Sequence, residues 1–128
     1  MRLLLDTAVF LWAIDDSPRL SDAARRALAD PANALVLSAA SAWEIAIKAR
    51  LGGLVVDGEP GDFVREQIAL WKLEQLPISV DHATATSVLP MHHRDPFDRM
   101  LVAQANVEGL TLVTNDPLLG QYSVPILW

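Results

Sequence analysis

The sequence contains no cysteine, so it can form neither a disulfide bond nor a thiolate metal site. No apolar stretch approaches the roughly 20 residues that a membrane-spanning helix needs. The opening MRLLLDTAVFLWAIDD begins like a secretion signal, but Asp6 interrupts it and no small-residue cleavage site follows. These absences predict a protein of the reducing cytoplasm with no membrane partner.

Basic residues are also scarce. Ten Lys and Arg stand against sixteen Asp and Glu, which gives a net charge of −6. Such a balance argues against nucleic-acid binding, because that binding depends on neutralising phosphates. The argument weakens if several acids hold divalent cations, since each ion returns two positive charges. Net charge alone therefore does not decide the partner.

The remaining composition is that of a folded protein. Of 128 residues, 52% are hydrophobic and 20% are charged, which excludes disorder. The length suits one domain with its own core, and no repeat or linker divides the chain. We therefore expect residues 1–128 to form a single domain.

Short apolar runs alternate with helical patterns along the whole chain. The expected strands are RLLL before Asp6, ALVL at 34–37, LPISV at 76–80, LTLVT at 110–114 and VPIL at 124–127. The expected helices lie at 7–14, 21–30, 38–53, 62–73, 82–89 (capped by Asp81) and 96–109. This alternation predicts an α/β fold with a parallel sheet and helices on both faces.

Two acids, Asp6 and Asp116, follow apolar strands, and Glu44 lies near the start of a helix after a strand. Carboxyl ends of parallel strands share one sheet edge, where α/β proteins bind ligands. Asp98 lies on the same helical face as the apolar residues three, four and seven positions later, so it should point inward. Its arrival at that edge requires the MHHRDP segment to cross the molecule.

Each acid also has a purely structural interpretation. Asp95 can cap a helix that begins at Pro96, with Asp98 in its first turn, where acids suit the helix dipole. SAWE at 41–44 can be a capping box, and Lys48 can pair with Glu44. Turn geometry alone can explain acids that follow strands. Taken together, however, clustered carboxylates repel and need protons, basic partners or cations, and oxygen ligands favour Mg²⁺ or Mn²⁺.

Four stretches carry a family resemblance over nearly the whole chain. They are LLLDT, SAASAWEIAIKARLGGL, LPMHHRDPFDRMLVAQA and LTLVTNDPLLGQY. The sequence resembles the PIN-domain ribonucleases, and specifically the VapC-type toxins of bacterial toxin–antitoxin pairs. The resemblance implies a three-layer α/β/α sandwich whose acidic quartet binds Mg²⁺ or Mn²⁺ and cuts RNA. It places that quartet on Asp6, Glu44, Asp98 and Asp116. It also implies a homodimer and an antitoxin protein that covers the site.

Neighbouring polar residues have open roles. Thr7, Thr114 and Asn115 can contact a metal-bound water or a phosphate, or serve only as turn and strand-end residues. His92 and His93 can be read as metal ligands or as a general base, but we favour a surface or packing role, because oxygen-ligand metals do not need imidazole.

Several basic and aromatic residues also have more than one role that the sequence allows. Arg94 and Arg99 can hold a phosphate or pair with nearby acids. Three tryptophans at helical positions indicate core or interface contacts: Trp12, Trp43 and Trp71. Five further basic side chains can form a local groove that offsets the net negative charge: Arg19, Arg25, Arg26, Lys48 and Arg50.

Two other functions compete with a ribonuclease. The first is a small Mg²⁺-dependent phosphoryl-transfer domain, such as a phosphatase or a receiver-like domain. A dehalogenase-type phosphatase needs a second aspartate two residues after the first, where this chain has Ala8, and no Gly-rich P-loop is present. The second is a non-catalytic binding module, which should tolerate the loss of Asp6 or Asp98.

Overall fold

The computed structural model describes all residues 1–128 and contains one sheet of five strands. Every strand pairs parallel to its neighbours. The strands are β1 (Arg2–Leu5), β2 (Ala34–Ser38), β3 (Glu74–Leu76), β4 (Thr111–Val113) and β5 (Ile126–Leu127), in the spatial order β3-β2-β1-β4-β5. The predicted parallel sheet is thus confirmed.

Six helices connect these strands. They are α1 (Thr7–Ile14), α2 (Asp22–Ala29), α3 (Ala39–Arg50), α4 (Pro60–Trp71), α5 (Val80–Ala85) and α6 (Pro96–Glu108), with single 3₁₀ turns at Thr86–Val88 and Leu119–Gln121. None of these helices combines the length and apolarity needed to cross a membrane.

The two faces of the sheet bury separate cores, which explains why β1 is apolar from Leu3 to Leu5. Leu3 and Leu5 pack with Phe10 and Leu28 on the face covered by α1 and α2. Leu4 points the other way and packs with Leu101 of α6. A strand covered on both faces needs no polar alternation. The predicted three-layer α/β/α sandwich is confirmed.

The order of the strands creates one crevice in the sheet. From β1 the chain builds outward through β2 and β3, and then returns to place β4 on the other side of β1. The strand order therefore switches between β1 and β4. Ligands of open α/β sheets bind beyond the carboxyl ends of the strands at this point.

The third strand and the cap after it differ from expectation. The strand is Glu74–Leu76 rather than 76–80, and Pro77, which has no N–H to donate to the ladder, follows its end. Ser79, and not Asp81, caps α5, because its hydroxyl accepts from the His82 N–H while His82 Nδ1 accepts the Ser79 N–H. The helix also ends early, at Ala85, and the 3₁₀ turn follows it.

Candidate metal centre

Asp6 lies where β1 ends, and only 7% of it is exposed. Its backbone N–H donates to the Val113 carbonyl at 3.0 Å, and its Oδ2 accepts the Thr114 hydroxyl at 2.7 Å. Burial raises the pKa of Asp6, and the Thr114 hydrogen bond opposes that rise. The turn interpretation is insufficient, because this carboxylate is buried between two strand ends.

Glu44 is 5% exposed and lies in the second turn of α3. The predicted capping box at SAWE is wrong, because α3 begins at Ala39 with Ser38 as its N-cap. The predicted ion pair is present: Lys48 Nζ lies 2.7 Å from Glu44 Oε2. That hydrogen bond raises the pKa of Lys48. The other oxygen, Oε1, is buried without any hydrogen-bond partner.

Asp98 is the third residue of α6, and its side chain is 16% exposed. Asp95 caps the helix, as predicted, by accepting the N–H groups of Phe97 at 2.8 Å and Asp98 at 3.3 Å. The stripe below Asp98, with Leu101 and Val102, is fully buried. Burial, with the nearby carboxylates of Asp6, Asp95 and Glu44, raises the pKa of Asp98 to about 7.

Asp116 follows β4, and both of its oxygens accept hydrogen bonds. Oδ1 accepts the Leu118 N–H at 2.9 Å, which is the predicted turn interaction. Oδ2 lies 2.9 Å from His93 Nε2. The Asp116 N–H donates to the Thr114 hydroxyl, so Thr114 links this acid to Asp6.

All four predicted acids line one cleft of about 630 Å³ at the carboxyl edge of the sheet. The segment before α6 therefore does cross the molecule, as the placement of Asp98 required. Asp95, Asn115, Arg19 and Lys48 also line the cleft. Of the proposed basic groove, only Arg19 and Lys48 lie here, while Arg25 forms an ion pair with Asp16.

Sequence reasoning assigned His93 to surface or packing, and the structure places it among the acids. Ligand atoms of His93, Asp98 and Asp116 lie within 4.8 Å of one another. The signal was the His-x-Asp-Pro spacing, which brings an imidazole to the start of an acidic helix. His92 does behave as a packing residue, with its ring 5.0 Å from that of Tyr122.

Arg99 forms hydrogen bonds within the protein, whereas Thr7 lies at the cleft. Arg99 donates to the carbonyls of Thr86 and Pro90 and to the Tyr122 hydroxyl, and it forms no ion pair with an acid. Thr7 lines the cleft, and its hydroxyl donates to the Ser41 hydroxyl at 2.8 Å.

The three tryptophans lie in different environments. Trp12 lines the cleft and lies under the Arg19 guanidinium, 5.8 Å from the ring centroid. Trp43 is 60% exposed and packs edge-on against Phe97. Trp71 packs against the core, as predicted.

The donor set suits a hard divalent cation. Five carboxylates share the cleft, the four predicted acids and Asp95, and one oxygen, Glu44 Oε1, is buried without a hydrogen-bond partner. An unpaired buried oxygen is costly, and a carboxylate cluster without enough basic partners favours a cation. Oxygen-only ligands of this kind match Mg²⁺ and Mn²⁺.

A family model for the PIN domain matches residues 3–124. The chain belongs to the PIN domain family. This PIN domain is 38% identical over 80 residues to the ribonuclease VapC16 of Mycobacterium tuberculosis, covering 55% of each chain. It therefore spans about half the length of the curated relative that it matches.

Solved structures share the PIN fold at low sequence identity. One is VapBC2 from Rickettsia felis bound to a promoter DNA fragment, with a TM-score of 0.73, 19% identity, and 98% of this chain and 97% of that chain covered. Another is DNA-bound VapBC from Salmonella typhimurium, with a TM-score of 0.68, 18% identity, and coverage of 98% and 96%. At such identities these likenesses describe the fold.

Proposed function

We propose that this PIN domain is a metal-dependent endoribonuclease that cuts RNA phosphodiester bonds. The observation that carries the proposal is the convergence of the four predicted acids on one cleft, with Glu44 Oε1 buried and unpaired. The family match and the name of the VapC16 relative support it.

Asp6, Glu44, Asp98 and Asp116 would hold Mg²⁺ or Mn²⁺. When bound, such an ion polarises the phosphate and activates water for in-line attack. Lys48 keeps one Glu44 oxygen oriented, and Thr114 orients Asp6. Arg19 and Lys48 supply positive charge at the cleft for an RNA backbone.

The deciding experiment is cleavage of total RNA and a tRNA pool by the purified chain. Reactions contain Mg²⁺, Mn²⁺ or EDTA, and Asp6→Ala is tested beside wild type. We expect discrete fragments that require metal and are absent with Asp6→Ala. If wild type does not cut and a Mn²⁺ titration shows no binding dependent on Asp6 and Asp98, the nuclease proposal fails.

Two further measurements distinguish the competing functions from the nuclease. A phosphoryl-transfer domain that works through Asp6 would form a covalent phosphoenzyme, which intact-mass spectrometry detects. A non-catalytic module would keep its binding activity in Asp6→Ala. The structure offers no observation that favours either function over the nuclease.

We also propose that the protein is the toxin of a toxin–antitoxin pair in the cytoplasm. The support is the likeness to VapC16 and to the VapBC complexes. The partner would be an antitoxin protein whose segment covers the acidic cleft. Expression of the chain should arrest growth of a bacterial host, and Asp6→Ala should not. A normally growing culture that makes soluble wild-type protein would contradict the toxin assignment.

We further propose a homodimer and a single folded domain. The apolar surface formed by Trp43, Ile47, Leu51 and Phe97 supports the dimer, because Trp43 is 60% and Leu51 80% exposed. Light scattering should give twice the chain mass. Trp43→Ser should reduce the measured mass, while Val107→Ser, at another exposed apolar site, should not.

The single sheet takes strands from both ends of the chain, which supports one domain. Calorimetry should therefore show one cooperative unfolding transition.

A further inference from the structure

His93 contacts two of the four acids from outside the cleft. Its Nε2 lies 2.9 Å from Asp116 Oδ2 and 3.2 Å from Asp98 Oδ2. Both of those acids line the cleft, and His93 does not. Its side chain is only 14% exposed. The imidazole therefore contacts these carboxylates without lining the space where RNA and cation would bind.

The backbone determines which ring nitrogen of His93 carries the proton. The Asp95 N–H donates to His93 Nδ1 at 3.0 Å. A backbone N–H can only donate, so Nδ1 must be the unprotonated nitrogen and Nε2 must carry the hydrogen. Nε2 thus has no free lone pair for a metal. In this arrangement the His93 Nε2–H donates a hydrogen bond to Asp116 Oδ2, and the same nitrogen lies 3.2 Å from Asp98 Oδ2.

Two other side chains hold His93 in place. Its own N–H donates to the Tyr122 hydroxyl at 3.0 Å, and that hydroxyl also accepts from Arg99 at 3.1 Å. Arg99 fixes the preceding loop by donating to the carbonyls of Thr86 and Pro90, each at 2.9 Å. Tyr122 is 5% exposed. The contacts that hold the loop therefore converge on the residue that touches Asp98 and Asp116.

Asp98 and Asp116 come from different elements, one at the start of α6 and one after β4. Nothing in the local structure of either element sets the distance between the two carboxylates. His93 links the two, since Nε2 donates to Asp116 Oδ2 and lies 3.2 Å from Asp98 Oδ2. Groups that contact metal ligands in this way orient them and tune metal affinity.

We propose that His93 is a positioning residue of the metal centre, which holds the Asp98 and Asp116 carboxylates at the separation that a shared divalent cation needs. This inference rests on the proposed function, since it assumes that these acids bind metal. It adds a fifth side chain to the acidic quartet, as a donor behind the ligands.

Two substitutions distinguish the roles of the two ring nitrogens of His93. His93→Asn keeps a polar atom near the Nδ1 position for the Asp95 N–H but removes the Nε2 donor. His93→Gln places an amide N–H₂ near the Nε2 position. Mn²⁺ affinity is measured by isothermal titration calorimetry on the purified chain, with His92→Asn as the matched control from the same loop.

We expect His93→Asn to weaken Mn²⁺ binding roughly 10- to 100-fold. His93→Gln and His92→Asn should remain close to wild type. A purely structural role in the loop predicts the opposite order, with Asn tolerated and Gln not. Unchanged or tighter Mn²⁺ binding by a folded His93→Asn protein would overturn the proposal.

A spectroscopic measurement on wild type tests the same point without any variant. Electron spin echo spectra of the Mn²⁺-loaded protein should lack the ¹⁴N coupling of a directly bound imidazole. Such a coupling would make His93 a ligand and overturn the positioning role. If wild type binds Mn²⁺ and cuts RNA but His93→Asn behaves like wild type, only this inference fails. If wild type neither binds nor cuts, the proposed function fails as well.

Discussion

The Thr114 hydroxyl donates a 2.7 Å hydrogen bond to Asp6 Oδ2 across 108 residues of chain. It joins the ends of β1 and β4, the two strands between which the strand order switches. Because Asp6 is buried, this donor compensates part of the cost of its charge. Thr114 also accepts from the Asp116 N–H, so one hydroxyl orients two acids.

Replacing Thr114 with valine keeps the shape of the side chain and removes the hydroxyl. Asp6 then loses its side-chain donor, and the Asp116 N–H loses its acceptor. We therefore expect Thr114→Val to destabilise the fold by about 1–3 kcal/mol. Urea unfolding measures the loss. Thr114→Ser retains the hydroxyl and should be much milder. Equal stability of the valine and wild-type proteins would show that this hydrogen bond does not contribute to the free energy of unfolding.

Replacing Asp98 with asparagine should separate stability from activity. The change removes a carboxylate whose pKa is raised to about 7 by burial and neighbouring acids. We expect the metal-free protein to gain on the order of 2 kcal/mol at neutral pH, or several degrees in Tm. RNA cleavage should be lost. An Asp98→Asn protein that cuts at the wild-type rate would exclude a ligand role for this residue.

The chain contains a matched control for that substitution. Asp62 occupies the same third helical position in α4, after a proline at the first position and an acidic N-cap. Its side chain is 81% exposed, however, and it lies outside the cleft. Asp62→Asn should therefore change neither cleavage nor stability appreciably.

The raised pKa of Asp98 also predicts how stability depends on pH. The ordinary carboxyl value is 3.8, and the folded value is about 7. Between them the folded protein binds more protons than the unfolded chain, so this group lowers stability as pH rises through that window. The Tm advantage of Asp98→Asn over wild type, measured in EDTA, should widen between about pH 5 and about pH 7.5. A constant difference would contradict the assigned pKa.

Replacing Glu44 with glutamine should reduce activity far more than stability. The partner Lys48 is 56% exposed, and ion pairs with exposed partners contribute about 1 kcal/mol or less. The change in unfolding free energy should therefore be small, while Mn²⁺ affinity and RNA cleavage fall at least about tenfold. Calorimetry and cleavage assays on one preparation test this. A large loss of Tm with normal cleavage would make Glu44 a structural residue.

Most of the fold followed from local patterns. Apolar runs marked the strands, and caps marked the helices, because a buried strand and a capped helix each depend on neighbours within a few positions. The errors lie where two signals competed. LPISV is apolar enough for a strand, but pairing with β2 uses Glu74–Leu76 and Pro77 follows, while Ser79 displaced Asp81 as the cap.

The site was only partly accessible to the same reasoning. Acids after strands could be assigned to one edge, since parallel strands end together. The position of His93 among the acids could not be predicted, because its contact with Asp116 joins residues that are 23 positions apart. The partners of Arg99 could not be predicted, because two of them are backbone carbonyls and the third, Tyr122, is 23 positions away.

The sequence by itself determined the parallel α/β architecture, the inward face of α6 and the four acids, because hydrophobic periodicity and strand-end chemistry are local. Only the tertiary structure decided the order of the strands, and with it the switch point between β1 and β4. It also decided that Thr114 serves Asp6, that Glu44 Oε1 has no partner and that His93 contacts two acids. These are relationships between distant residues, and they exist only once the sheet has brought β1 and β4 side by side and the chain has crossed the molecule before α6.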